Sequence, residues 1–181
     1  MKRTVLALVA AVAAFVATSN SAFAQATDSD TQTFTVTVAP VLSITAPVNS
    51  TGNTVNPTIA HDGTDSNQTF ANQVWSAACN NAAGAALSFV ITPFANGTNK
   101  RNATLAASVA SSDTGSGWAV SGASTATTDH TAATPNGTVN FGSNASGDAT
   151  FNIGVTFIDS NYSLLPAGSY VATVTGTIQA N

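Results

Sequence analysis

The side chains best suited to acid–base or metal chemistry in this 181-residue sequence are two histidines, His61 and His130, and eight aspartates; glutamate is absent. They crowd most closely in HDGTDSN, where His61, Asp62, Asp65 and Asn67 fall within seven residues. If that loop curled, the oxygens of Asp62, Asp65 and Asn67 would converge on a calcium ion. The spacing departs from the EF-hand pattern, however, and a run of Asp, Asn and Gly is in the first place a turn. Hydrolysis by a nucleophile requires a base beside it, and no serine sits in a Gly-x-Ser-x-Gly elbow. Glycoside cleavage requires two facing carboxylates, whereas the aspartates are scattered singly through turn-like sequence. No catalytic residue, no enzymatic activity and no cofactor is therefore expected.

Three further residues carry a choice of roles. Cys79 is the only cysteine, so no disulfide can form within the chain; in its alanine-rich setting, SAACNNAAGAA, it reads as a small buried hydrophobe, with a reactive or intermolecular thiol as the alternative. Trp75 and Trp118 read as plugs of a core or its ends, with sugar stacking as the alternative for each. Seven Asn-x-Ser/Thr sequons, from Asn49 to Asn161, are the chance yield of a chain rich in Asn and Thr, and no role is assigned to them.

The elements that must position these residues begin with an export signal. Lys2 and Arg3 precede an apolar run from Val5 to Val16, followed by Ala22-Phe23-Ala24, whose small residues suit signal peptidase. The run is shorter than the roughly 20 residues of a membrane-spanning helix. Cleavage after residue 24 leaves one domain's length, with Lys100 and Arg101 as the only cations against eight aspartates, a charge of −6. Nucleic acid and anionic membrane are disfavoured as partners, since both require clustered cations. A surface of Thr, Ser, Asn, Ala and Gly with so few charges permits close lateral packing of chains.

Apolar residues alternate with polar ones in most of the chain: Phe34, Val36, Val38; Leu42, Ile44; Leu87, Phe89, Ile91; Val139, Phe141; Phe151, Ile153, Val155, Phe157; and Tyr170 through Val174 to Ile178. Each set predicts a strand with one buried face. Turn signals separate them, among them Asn96-Gly97, Ser146-Gly147-Asp148 and Pro166-Ala167-Gly168. An all-β, antiparallel β-sandwich follows. Residues 102–112 and the alanine-rich run Ser76–Ala86 fit a helical turn as readily as a strand, and Ser121–Thr138 reads as a long surface loop.

The two ends of the chain carry a resemblance. TQTFTVTVAP, residues 31–40, is an alternating Thr/Val strand followed by Pro40; LLPAGSYVATVTGTIQAN closes the chain with an Ala-Gly-x-Tyr turn and a terminal strand. Together they resemble chaperone–usher pilin subunits of the colonisation-factor class; short strands and turns of this kind also occur in spore-coat and biofilm-matrix sandwiches. The likeness covers about residues 31–48 and 164–181. It implies an immunoglobulin-like sandwich over residues 41–181 that lacks an edge strand, with residues 25–40 as a donor segment for the next subunit. Phe34, Val36 and Val38 would be the donor residues, and Tyr170, Val174 and Ile178 on a strand from Ser169 to Ala180 would border the acceptor groove. The implied partners are further copies in a homopolymer, with a periplasmic chaperone and outer-membrane usher, and the implied destination is the cell surface or a fimbrium. The alternative is a monomeric secreted β-sandwich that binds a carbohydrate or surface through its loops. In a single copy, effective concentration favours docking of residues 31–38 in their own groove, so Phe34, Val36 and Val38 are expected to be paired as a strand.

Overall fold

The structure, a computed structural model, describes residues 28–181; the expected export signal lies outside the described residues. Twelve strands form: β1 (Leu42–Thr45), β2 (Gln68–Thr69), β3 (Gln73–Cys79), β4 (Ala85–Ile91), β5 (Phe94–Asn96), β6 (Asn99–Arg101), β7 (Ala103–Ser112), β8 (Ala119–Val120), β9 (Thr125–Thr127), β10 (Gly137–Gly142), β11 (Ala149–Phe157) and β12 (Val174–Ala180). A 3-10 turn at Tyr162–Leu164 is the only helical element among the described residues, and no described helix is long and apolar enough to cross a membrane.

All pairings between named strands are antiparallel. One sheet runs β1-β3-β11-β7-β9, with β2 also on β11; the other runs β12-β4-β10-β8; β5 and β6 form a separate hairpin. The alternation in the sequence sets this arrangement. In β4, Ala85, Leu87, Phe89 and Ile91 are buried while the residues between them are half-exposed, and β10 and β11 repeat the pattern with Val139, Phe141, Phe151 and Ile153. The inward faces of the two sheets meet in a β-sandwich-like core. At its centre Phe89, Phe141 and Phe151 pack edge to face, with centroids 4.9 to 6.0 Å apart. Among the described residues neither large sheet carries a charged residue on any strand, and the only charged strand residues are Lys100 and Arg101 on β6.

Several readings that the sequence left open are decided, and one is corrected. Residues 102–112 form β7, because Ala103, Leu105 and Ala107 are inward and buried, and Ala110 is accommodated by a register shift opposite Thr150/Phe151. The Ser76–Ala86 run is the end of β3, a turn and the start of β4; Gly84 takes φ 80° there, against the Ser143 backbone, where no side chain would fit. Ser121–Thr138 is not wholly a loop: it holds β9, and Thr128 is buried with its hydroxyl accepting from the Ala103 N–H at 2.7 Å. Cys79 is buried and Trp118 plugs one end of the core, its Nε1–H donating to the Gly147 carbonyl at 3.0 Å.

The largest departure is at the front of the chain. Residues 28–40 form no strand, and Phe34, Val36 and Val38 are 84, 87 and 76 % exposed, so the expected strand at these residues is not formed. Alternation shows that a segment is able to pair; it does not supply an edge within reach. The compact unit that carries the sheets spans Val38–Asn181. At its start Asn80 holds the chain, accepting from the Val41 N–H at 2.6 Å and donating to the Ala39 carbonyl at 2.8 Å, and β1 begins directly afterwards.

Candidate functional site: an open edge of the sandwich

Two strands border one side of the sandwich, β1 in the larger sheet and β12 in the smaller, and neither covers that side completely. β1 pairs only with Ser76–Cys79, the second half of β3. The first half, Gln73–Trp75, is paired to β11 on its inner edge and, among the described residues, to no strand on its outer edge. β12 pairs with β4 alone. Unpaired N–H and C=O groups on such edges are a template for an additional strand.

Where β1 stops short, no paired strand closes over the core. A cavity of about 520 Å³ lies there, floored by Phe70, Trp75, Ile91, Phe94, Ile153 and Val155 and bordered by Tyr170–Val174. A second cavity of about 520 Å³ shares Phe70, Phe94 and Tyr170 with it and extends past Phe157 toward His61 and Tyr162. The two form one apolar trough. Its aromatic lining is internally packed: Phe70 stacks on Phe94 at 5.9 Å, and Phe157 meets Phe94 at 5.1 Å and Tyr170 at 5.6 Å, edge to face.

Of the residues expected to border an acceptor groove, Tyr170 lines both cavities and Val174 lines the first, while Ile178 packs on the core nearer the end of β12 and lines neither. The expected strand from Ser169 begins only at Val174. After the Pro166-Ala167-Gly168 turn, where the Tyr170 hydroxyl donates to the Pro166 carbonyl at 3.2 Å, the ladder is reduced to the bridge between Val171 and Ala95 and the bond from the Thr92 N–H to the Thr173 carbonyl, 3.1 Å. Phe70 and Trp75 were not singled out as groove residues by the sequence. Trp75 shows its role only through β1, which is too short to cover it.

His61, at the far end of the trough, adjoins a buried carboxylate. Asp159 has a side chain only 3 % exposed; its Oδ1 lies 3.5 Å from Arg101 Nε, and its Oδ2 lies 3.6 Å from His61 Nε2, with no hydrogen bond formed at either of those last two atoms. His61 Nδ1 accepts from the Gly63 N–H, which places the neutral ring's proton on Nε2, facing the carboxylate. The ring is stacked on Tyr162 at 4.9 Å. Arg101 also donates to the Leu164 carbonyl at 3.1 Å, tying the 3-10 turn to β6.

The HDGTDSN oxygens are directed to separate donors rather than to a common point. Asp62 Oδ1 accepts from the Thr64 hydroxyl, the Thr64 N–H and Gln68; Asp65 accepts from the Tyr162 N–H; Asn67 accepts from the Asp159 N–H. The Thr64 hydroxyl, then its N–H, hold the Asp62 carboxyl below the usual range, and Thr131 does the same to Asp129. No group of three or more His, Cys or Asp among the described residues is placed to hold a metal. These side chains close the turn and fasten it to the segment after β11.

No protein-family model matches the chain, and no curated protein or solved structure matches it.

Proposed function

We propose that this protein is an exported bacterial structural subunit that assembles into a pilus or surface fibre by β-strand exchange. Under this reading the fold is an immunoglobulin-like sandwich short of part of one edge strand. The observation that carries it is the coexistence, in one chain, of an exposed alternating segment at Phe34, Val36 and Val38 and an apolar trough open beside unpaired strand edges. In the assembled state residues 31–38 of one copy enter the trough of the next. Their backbone satisfies the edge groups, and their alternate side chains cover the floor around Trp75 and Phe94. Burial of Phe34, Val36 and Val38 at about 1.5–3 kcal/mol each contributes about 5–9 kcal/mol before the ladder hydrogen bonds.

Deletion of residues 25–39 tests this directly. The expected product is an exported, folded and unassembled subunit; normal fibres from the truncated chain would refute strand donation. The competing reading, a monomeric carbohydrate-binding module, loses support at Trp118, whose ring is buried against Phe151. It keeps Trp75, half-buried at the trough. A chain that stays monomeric on size-exclusion chromatography and binds a glycan through Trp75 would favour it.

A further inference from the structure

The connection from β1 to β2 passes along the same trough. Residues 54–59 contribute to its lining: Val55 in the first cavity, Ile59 in the second, and Pro57 in both. In VNPTI these three apolar residues alternate with Asn56 and Thr58, the same period as Phe34, Val36 and Val38. Yet no strand forms. A bridge at Val48–Thr54 and the bond from the Val55 N–H to the Pro47 carbonyl, 2.8 Å, anchor one end, and His61 anchors the other. Between them, no backbone group of residues 56–60 is hydrogen-bonded to another described residue. Pro57 has no N–H to offer and is excluded from a ladder by its ring. All six residues from Val55 to Ala60 are exposed.

We propose that Val55–Ala60 is a built-in place-holder for the incoming strand, a strap that shields the trough of the unassembled subunit and is displaced when the strand enters. The inference rests on the strand-exchange reading and adds a regulatory step to it. The strap imitates the apolar period of the donor, so it covers part of the trough. Pro57 keeps it from completing the ladder, so it is held only at its ends and by modest apolar contact. A segment with few buried contacts and no backbone bonds opens at low free-energy cost. The unassembled subunit is thereby protected from indiscriminate edge pairing while remaining open to a segment that both fills the trough and ladders.

The test uses the intact chain and a fluorescent synthetic peptide of residues 31–38, with uptake followed by anisotropy. Two variants are expected to move the rate in opposite directions. Val55→Ser with Ile59→Ser loosens the strap and should accelerate uptake about tenfold. Pro57→Val restores the missing N–H, lets the strap ladder and should slow uptake by a similar factor. A merely unfolded variant would not produce this pair of effects, and circular dichroism checks the folding of each. In the wild-type chain, bound peptide should also free the strap from the trough and raise the rate of elastase cleavage between Val55 and Ala60. Uptake of the peptide at one rate by all three chains, with no change in cleavage, overturns the strap and leaves strand exchange standing. Failure of every chain to take up the peptide overturns strand exchange and the strap together.

Discussion

Ile44 on β1 closes over Gly176 on β12: a Cβ at residue 176 would lie 2.7 Å from Ile44 Cδ1, 3.0 Å from Trp75 Cζ3 and 3.3 Å from Phe89 Cε1. This contact between the two edge strands seals the sandwich at one end. Beyond it β1 has turned away, and the trough opens beside Trp75. Gly176→Val should therefore force Ile44 outward and strain the Trp75–Phe89 pair, at a cost of about 1–3 kcal/mol. At about 2–4 °C per kcal/mol for a chain of this size, calorimetry should register a clear fall in melting temperature. An unchanged melting temperature would mean that the seal is not packed.

Asp159 should be the most sensitive polar position. Its buried carboxylate faces Arg101 on one side and His61 on the other, so Asp159→Ala leaves Arg101 without its anion and removes one of the two carboxylates beside His61, Asp62 remaining 3.7 Å from Nδ1. Breaking a buried pair costs about 3–5 kcal/mol, and the lower end applies because the Arg101 side chain is a quarter exposed. Chemical denaturation of Asp159→Ala and His61→Ala should show the first losing about 3 kcal/mol and the second less, since Arg101 still serves the carboxylate in the second.

The strands most legible in the sequence were those with large residues at every second position. Leu87, Phe89 and Ile91 and the set from Phe151 to Phe157 form core strands because their burial repays pairing wherever a partner lies. β7 was ambiguous because Ala106, Ala107 and Ala110 are small enough for a helix; only its two neighbours in the sheet, β11 and β9, decide for a strand. Phe34, Val36 and Val38 have a pattern as clear as any in the core, yet they are exposed, because pattern specifies a face and not an edge. Of the residues that line the trough, the sequence singles out Tyr170 and Val174 but not Phe70, and it reads Trp75 only as a plug or a sugar platform. Nor did anything local mark Asp159 as buried. Its partners, Arg101 and His61, lie 58 and 98 residues away in the chain.

Acid should loosen the turns at Asp62 and Asp129 only below the ordinary carboxylate range. Each carboxylate accepts from a threonine hydroxyl and N–H two residues on, and both are held below the ordinary carboxylate value of 3.8. A group whose folded pKa is depressed contributes stability that is present above its unfolded value. That contribution is lost as pH falls through the lower folded value. Both side chains are exposed, so the effect on global stability is small and the readout is local. In an NMR titration the Thr64 and Thr131 amides should shift below pH 4. Thr64→Ala should move the Asp62 midpoint upward, and no movement would show that the hydroxyl bond is absent in solution.

Val36→Asp separates the single copy from the assembly. In the single copy Val36 is 87 % exposed and lies in no strand, so a carboxylate there meets water. Exposed substitutions of this kind change stability by no more than about 0.5 kcal/mol, and the melting temperature should hold to within about 2 °C. In the proposed assembly the same residue would enter an apolar trough that offers no cation beside Trp75 and Phe94, and the buried carboxylate would cost several kcal/mol. That removes most of the roughly 5–9 kcal/mol that Phe34, Val36 and Val38 supply together. The variant should therefore melt as the wild type does while failing to form oligomers on size-exclusion chromatography or fibres under the electron microscope. Thr35→Asp, on the opposite face of the same strand, should assemble nearly normally, which distinguishes a buried face from a general effect of added charge. If both variants assemble, residues 31–38 are not the joint between subunits; if Val36→Asp lowers the melting temperature of a single copy by several degrees, the segment is docked within its own chain.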